Sequence, residues 1–125
     1  MRKILIIDDD EQMRNLLKRA MEYAGFEVET ARDGREGQRF FNTDSCDLVI
    51  TDLIMPEQEG METITFLRKN HPEVKVIAIS GGGRIGPESY LPAALELGAH
   101  RAFAKPFPID ELTAAVNELL GITSA

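Results

Sequence analysis

Four short apolar runs in the chain each lead to polar side chains that are suited to phosphoryl transfer. The runs begin at Ile4, Leu48, Val76 and Ala102, and their lengths are typical of single buried strands. Because the carboxyl ends of parallel strands lie along one edge of a sheet, residues far apart in the sequence can meet there. The polar residues that follow the runs are acids, a hydroxyl and an amine: Asp8, Asp9, Asp10, Asp52, Ser80 and Lys105. Their types predict an aspartate that accepts a phosphoryl group beside a divalent cation.

The electrostatics of such a site require a cation or a proton. Two carboxylates about 4 Å apart repel each other by about 4 kcal/mol at an effective dielectric constant of about 20. Convergence of Asp8, Asp9 and Asp52 is therefore unfavourable without compensation. Oxygen ligands with room for water suit Mg²⁺, and Mn²⁺ fits the same ligands. One carboxylate can then act as the nucleophile, while Lys105 supplies an ammonium group and Ser80 a hydrogen bond to a phosphoryl oxygen.

Each of these residues also has an ordinary structural explanation. An aspartate after a strand is often a helix cap, and a serine there is often a turn residue. The acids from Asp8 to Glu11 are also typical of the first turn of a helix. In this chain, however, such polar residues follow all four of the strand-like runs. Their coincidence in one small chain favours a shared site over four unrelated explanations.

Size, charge and cysteine content restrict the class of protein. The 125 residues fit one domain, so residues 1–125 are expected to form it without an output domain. The net charge of -7 argues against a nucleic-acid surface. Cys46 is the only cysteine, which excludes an intrachain disulfide and predicts a small apolar core residue. The first apolar run is too short for a signal peptide or a membrane span, so we expect a cytoplasmic protein without membrane contact.

Strand-like and helix-like patterns alternate along the whole chain. The predicted strands are 3–7, 26–31, 47–51, 74–79 and 101–104, and the predicted helices are 11–24, 35–42, 60–70, 89–97 and 109–120. Five such repeats predict an α/β fold with a five-stranded parallel sheet and helices on both faces.

With these residues identified, the chain resembles the receiver domain of two-component response regulators from Lys3 to Leu120. The resemblance implies a doubly wound, flavodoxin-like sheet with the strand order 2-1-3-4-5. It is carried by segments that include the strand-end residues, namely 4–11, 47–56, 60–62, 76–81, 98–99 and 105–107.

The resemblance assigns roles to the acids by position. Asp52 corresponds to the phosphoacceptor, Asp9 to a direct metal ligand and Asp8 to the acid that holds metal-bound water. The backbone carbonyl of Ile54 is expected as a further ligand of Mg²⁺. Asp10 has no direct role in the family pattern, and we interpret it as a helix N-cap or an outer acidic residue.

The remaining positions concern the response to phosphorylation. Ser80 corresponds to the switch residue and Lys105 to the lysine that pairs with the phosphate. The bond before Pro106 is expected to be cis. Gly81 is small and is expected to leave the acceptor open, and Glu57 is expected to lie in a loop beside the acceptor.

The resemblance implies a response regulator receiver, and the length of the chain leads us to expect one that stands alone. A histidine kinase or phosphotransfer protein donates the phosphoryl group to Asp52, and the receiver catalyses much of this transfer and its reversal itself. We therefore expect a phosphoacceptor rather than an enzyme that acts on outside substrates. The modified protein then switches a surface that an effector protein binds in trans. No contact with nucleic acid is expected.

Two departures from the family pattern leave alternatives open. Ala102 stands where the family often has an aromatic switch residue, and Phe103 is predicted to point to the other face of the sheet. Residues 81–87 are rich in glycine, which predicts either a mobile loop that orders on phosphorylation or partner binding, or an ordinary flexible surface loop. The alternatives are a receiver-like module that signals by binding alone and an aspartate-nucleophile phosphohydrolase. The hydrolase is disfavoured because Leu53 and Ile54, rather than a second aspartate, follow Asp52.

Overall fold

Strands and helices alternate in the computed structural model, which describes residues 2–53, 59–80 and 91–122. The elements of these residues are β1 (Lys3–Ile7), α1 (Glu11–Tyr23), β2 (Glu27–Ala31), α2 (Gly34–Phe40), β3 (Leu48–Asp52), α3 (Glu59–Asn70), β4 (Lys75–Ser80), α4 (Leu91–Leu97), β5 (Arg101–Ala104) and α5 (Ile109–Leu119). Each predicted strand and helix is present. The bounds of β1 and β5 are as predicted, the other described ends differ by at most two residues, and the predicted start of the fourth helix at residue 89 lies outside the described residues.

The strands form one parallel sheet in the order β2-β1-β3-β4-β5, which confirms the predicted topology. The register places Asp52 opposite Ile79, and Ser80 opposite Ala104. Asp52 and Ser80 were predicted to follow their strands, but they are the last residues of β3 and β4. Their backbones are therefore held by the sheet rather than by loops.

The sheet is covered on both faces by helices, as the alternation along β1 shows. Ile4 and Ile6 belong to the core cluster that contains Leu17 of α1 and Leu112 of α5. Leu5 and Ile7 belong to the opposite cluster, which contains Ile64 and Leu67 of α3. Burial of each such side chain is favourable by about 1.5–3 kcal/mol. The central strands are thus fixed from both sides, and their carboxyl ends form a rigid edge.

Helix ends bring the loops close to this edge. Asp10 caps α1, because its carboxylate accepts hydrogen bonds from the backbone N–H groups of Gln12 and Met13. The expected N-cap role of Asp10 is therefore confirmed.

At the start of α3, a Cβ on Gly60 would lie against the Asp52 carbonyl oxygen and 2.6 Å from the Leu53 Cα. Only glycine allows α3 to approach the end of β3 so closely.

None of the helices in residues 2–53, 59–80 and 91–122 is long and apolar enough to cross a membrane.

Candidate functional site

The carboxylates of Asp8, Asp9 and Asp52 converge at the carboxyl edge of the sheet. One oxygen atom of each carboxylate lies within 4.8 Å of the corresponding atoms of the other two. Asp8 directly follows β1 and is fully buried, whereas Asp52 at the end of β3 is 4% exposed. Asp9 is exposed to solvent. The acid cluster expected from the strand ends is thus present, with two buried acids and one that faces water.

Lys105 joins this cluster from the end of β5. Its Nζ atom donates to Oδ2 of Asp8 at 3.2 Å and to Oδ2 of Asp52 at 3.3 Å. Its backbone N–H donates to the Ser80 carbonyl at 2.8 Å, which ties the loop after β5 to β4. The peptide bond between Lys105 and Pro106 is cis, as expected.

The charge state of Lys105 follows from two opposing influences. Burial lowers its pKa, but the charges of Asp52 and Asp8 and the hydrogen bonds to both acids act in the other direction. The result is a pKa above the ordinary value for lysine. Lys105 is therefore a cation at neutral pH and compensates part of the repulsion among the acids.

Ser80 contributes a buried hydroxyl with no partner. The side chain is fully buried, and Oγ is the one buried side-chain nitrogen or oxygen atom in the described part of the chain that lacks a hydrogen bond. An unsatisfied buried polar group costs about 1–3 kcal/mol. A phosphoryl oxygen that reached this edge would provide the missing acceptor.

The donor set suits a hard divalent cation. All three side chains of the acid cluster offer oxygen, with neither nitrogen nor sulfur among them. Because Asp9 is exposed, a cation there would keep water ligands and could also take an oxygen of a phosphoryl group. These properties match Mg²⁺. The expected carbonyl ligand from Ile54, the predicted roles of Glu57 and Gly81, and the glycine-rich stretch 81–87 lie outside the described residues.

Arg14 was missed by the sequence reasoning. Its guanidinium donates from Nη1 to the backbone carbonyl of Asp8 at 2.9 Å. The available signal was the position of a basic residue one helical turn after the acidic run. That spacing was insufficient, because it does not show toward which group a long flexible side chain turns.

The structure places Ala102 and Phe103 on opposite faces of β5. Ala102 packs against the core cluster that contains Ala94 and Ala99, whereas Phe103 packs with the other cluster. The Phe103 ring lies 5.8 Å from the ring of Phe107. The prediction that Phe103 points to the other face of the sheet is confirmed.

Cys46, His71 and His100 have structural roles. Cys46 is buried, and burial raises the pKa of its thiol to about 12, so it stays protonated and unreactive at neutral pH. His71 stacks on Phe41 with 4.5 Å between ring centroids. His100 accepts a hydrogen bond at Nδ1 from the backbone N–H of Val76 at 3.1 Å. Both histidines are thus packed against other groups of the fold.

Similarity to known proteins agrees with this arrangement. The response regulator MprA of Mycolicibacterium vanbaalenii is 33% identical over 122 residues, which cover 98% of this chain and 52% of the relative. The transcriptional regulatory protein CpxR of Escherichia coli is 38% identical over 120 residues, covering 96% and 50% respectively. The chain thus spans about half the length of these relatives.

Solved structures have the same fold. A response regulator receiver domain from Clostridium thermocellum superposes with a TM-score of 0.86 at 33% identity, covering 97% of this chain and 95% of the other. The response regulator TrrA from Thermotoga maritima, solved in complex with Mg²⁺ and BeF, gives a TM-score of 0.83 at 32% identity, with coverage of 95% and 99%. The family model of the response regulator receiver domain matches residues 4–117 of this chain. The chain therefore belongs to the response regulator receiver domains of two-component signalling.

Proposed function

We propose that Asp52 accepts a phosphoryl group from a phosphohistidine of a histidine kinase or phosphotransfer protein. The observation that supports this most directly is the position of the Asp52 carboxylate. It lies at the end of β3, almost buried, with the Lys105 ammonium 3.3 Å away and two further acids in the same cluster. A structural ion pair needs one carboxylate and one cation, whereas this site brings two further carboxylates to the same place.

The transfer is a displacement at phosphorus. An Asp52 carboxylate oxygen forms the new P–O bond while the P–N bond of the donor breaks, and its electron pair remains on the imidazole, which takes up a proton. Lys105 is already placed to stabilise charge on the transferred oxygens. Asp8 is the less exposed of the two acids, and its carboxylate accepts hydrogen bonds from the Asp10 backbone N–H and from Lys105.

Asp8, Asp9 and Asp52 would hold Mg²⁺, which neutralises charge on the acids and on the phosphoryl group when bound. Mn²⁺ fits the same oxygen donors. In the absence of phosphoryl transfer, Lys105 shares its ammonium between Asp8 and Asp52.

Phosphorylation would then change the partners of Ser80 and Lys105. The Ser80 hydroxyl gains an acceptor, and Lys105 exchanges a carboxylate partner for a phosphoryl oxygen. Since Ser80 ends β4 and Lys105 follows β5, both changes act on neighbouring strands. The modified state favours a different arrangement of the adjacent surface, which an effector protein recognises.

The chain acts in this proposal as a phosphoacceptor with self-catalysed phosphorylation and dephosphorylation, not as an enzyme for outside substrates. The expectations of a stand-alone receiver, of an effector in trans and of no contact with nucleic acid stay predictions, because the relatives are about twice as long.

The test is the intact mass of the protein after incubation with Mg²⁺ and acetyl phosphate. We expect a phosphoryl adduct in the wild type and in Asp110→Asn, a control that removes one exposed acid of α5. The adduct should be absent from Asp52→Asn. Adduct formation in Asp52→Asn would place the acceptor elsewhere. An unmodified wild type that still bound a partner would favour the binding module, and multiple turnover of phosphate esters would favour the phosphohydrolase.

A further inference from the structure

We propose that Arg14 is a positioning residue for the metal site and that it acts through the backbone between Asp8 and Asp9. The inference rests on the proposed function, because it assigns these acids to a cation. It adds a residue of α1 that touches neither the cation nor the phosphoryl group.

Arg14 connects the first turn of α1 to the end of β1. Its side chain is partly buried and reaches back six residues to the Asp8 carbonyl, at 2.9 Å from Nη1. Its own backbone N–H donates to the Asp10 carbonyl at 2.9 Å, within the same turn. The backbone of Arg14 is therefore held in the helix, while its side chain holds the carbonyl of Asp8 at the end of β1.

The Asp8 carbonyl is the group through which one contact can orient both acids. It belongs to the planar peptide unit that joins Asp8 to Asp9, so its direction sets the positions of both Cα atoms. The other groups of Asp8 are held separately. Its N–H donates to the Ala31 carbonyl at 3.1 Å, and its carboxylate accepts from the Asp10 N–H at 2.9 Å and from Lys105.

Asp9 depends on this peptide unit more than Asp8 does. Asp8 is buried and contacted from several elements, whereas Asp9 is exposed. A charge-assisted hydrogen bond to the preceding carbonyl is a strong restraint on the backbone that presents it. Arg14 thus orders the exposed acid before a cation arrives, which reduces the entropy lost on binding.

Charge and positioning predict opposite effects of removing Arg14. A guanidinium near the acid cluster repels Mg²⁺. If Arg14 acted only through its charge, Arg14→Ala would therefore bind Mg²⁺ more tightly than the wild type. A positioning role means that the same variant binds Mg²⁺ more weakly. Loss of a residue that orients metal ligands typically reduces metal affinity by about 10-fold to 100-fold, and we expect about 10-fold here.

The experiment is calorimetric titration of the full chain with Mg²⁺ alone. Arg19→Ala is the matched control, because Arg19 is an exposed arginine of the same helix and its removal changes the net charge equally. We expect Arg14→Ala to weaken Mg²⁺ binding about 10-fold, Arg14→Lys to recover part of the loss, and Arg19→Ala to bind as the wild type does. Unchanged or tighter binding by Arg14→Ala, with a normal thermal unfolding curve, would overturn the proposal.

A second measurement separates positioning from a general loss of structure. The Mg²⁺ concentration for half-maximal modification by acetyl phosphate should rise in Arg14→Ala and Arg14→Lys, while the rate at saturating Mg²⁺ stays near that of the wild type. If Arg14→Ala fails to fold, Arg14→Lys decides the matter by the same titration. If the wild type binds Mg²⁺ and forms the adduct, and the Arg14 variant has the same Mg²⁺ affinity, this inference alone is refuted. A wild type that binds no Mg²⁺ refutes it together with the proposed function.

Discussion

The Nζ atom of Lys105 lies 3.3 Å from Oδ2 of Asp52, although 53 positions separate the two residues in the chain. The contact is possible because β3, β4 and β5 are neighbours in a parallel sheet and end at the same edge, so that the long Lys105 side chain can reach Asp52 past the end of β4. The ammonium group also donates to Asp8, so it bridges two acids that would otherwise repel each other. Any group that changes the charge of Asp52 must therefore affect Lys105.

Replacement of Lys105 by alanine should separate metal binding from the response to modification. The acids remain in place and lose a competing cation, so Mg²⁺ affinity should not fall. The response should be lost, because no ammonium is left to follow the phosphoryl oxygens. Amide shifts on addition of Mg²⁺ and a beryllofluoride mimic measure both effects.

Lys69→Ala, which removes an exposed lysine of α3, is the control for that variant. It should respond as the wild type does. Full amide shifts in Lys105→Ala would exclude Lys105 from the proposed role.

Ser80→Ala should stabilise the unmodified protein or leave its stability unchanged. The hydroxyl is buried without a partner, and its removal relieves a cost of which we expect up to about 1 kcal/mol to appear. The same variant should show a weaker response to the beryllofluoride mimic. Urea unfolding gives the stability, and a loss above about 1 kcal/mol would mean that the hydroxyl has a stabilising partner.

Gly60→Ala should destabilise the fold by about 1–3 kcal/mol, because the new Cβ meets the backbone of Asp52 and Leu53, which cannot rotate away. Gly37→Ala is the comparison. Its Cβ would lie 2.5 Å from the Cδ1 of Ile7, the end of a side chain that can shift. Chemical denaturation should show the larger loss for Gly60→Ala. A loss for Gly60→Ala no larger than that for Gly37→Ala would contradict the expected cost of a Cβ against the β3 backbone.

Stability should fall in mildly acidic solution because of His100. Burial, and then the charges of Arg68 and Lys75, lower the pKa of His100 below its ordinary value of 6.5. Its Nδ1 accepts a hydrogen bond from Val76, and a protonated ring could not accept it. Below pH 6.5 the unfolded chain binds more protons at this residue than the folded chain does. The contribution of His100 is therefore complete above that pH and is lost as the pH falls through the folded pKa.

Urea unfolding between about pH 7.5 and about pH 5.5 tests this linkage. We expect His100→Gln to be less stable than the wild type at the upper limit and to lose less stability on acidification. The acids titrate in both proteins, so the difference between the two curves isolates His100. Parallel curves would show that protonation of His100 is not linked to folding.

Patterns in the sequence were sufficient for the fold and for the acid cluster. The strand-like runs before Asp8, Asp52, Ser80 and Lys105 predicted a parallel sheet, and a parallel sheet aligns the ends of its strands. The cap at Asp10 was also predictable, since an aspartate before a helix has few other hydrogen-bonding options. These features depend on residue type and local periodicity.

Contacts between long side chains and distant backbone groups depended on the folded chain. The bond from Arg14 to the Asp8 carbonyl and that from Val76 to His100 depend on rotamers and on the packing of separate elements. The sharing of Lys105 between two acids, and the burial of Ser80 without a partner, depend on the register of β3, β4 and β5. Residue types and spacing identify which groups meet at the edge, whereas register and packing determine the atoms that they contact.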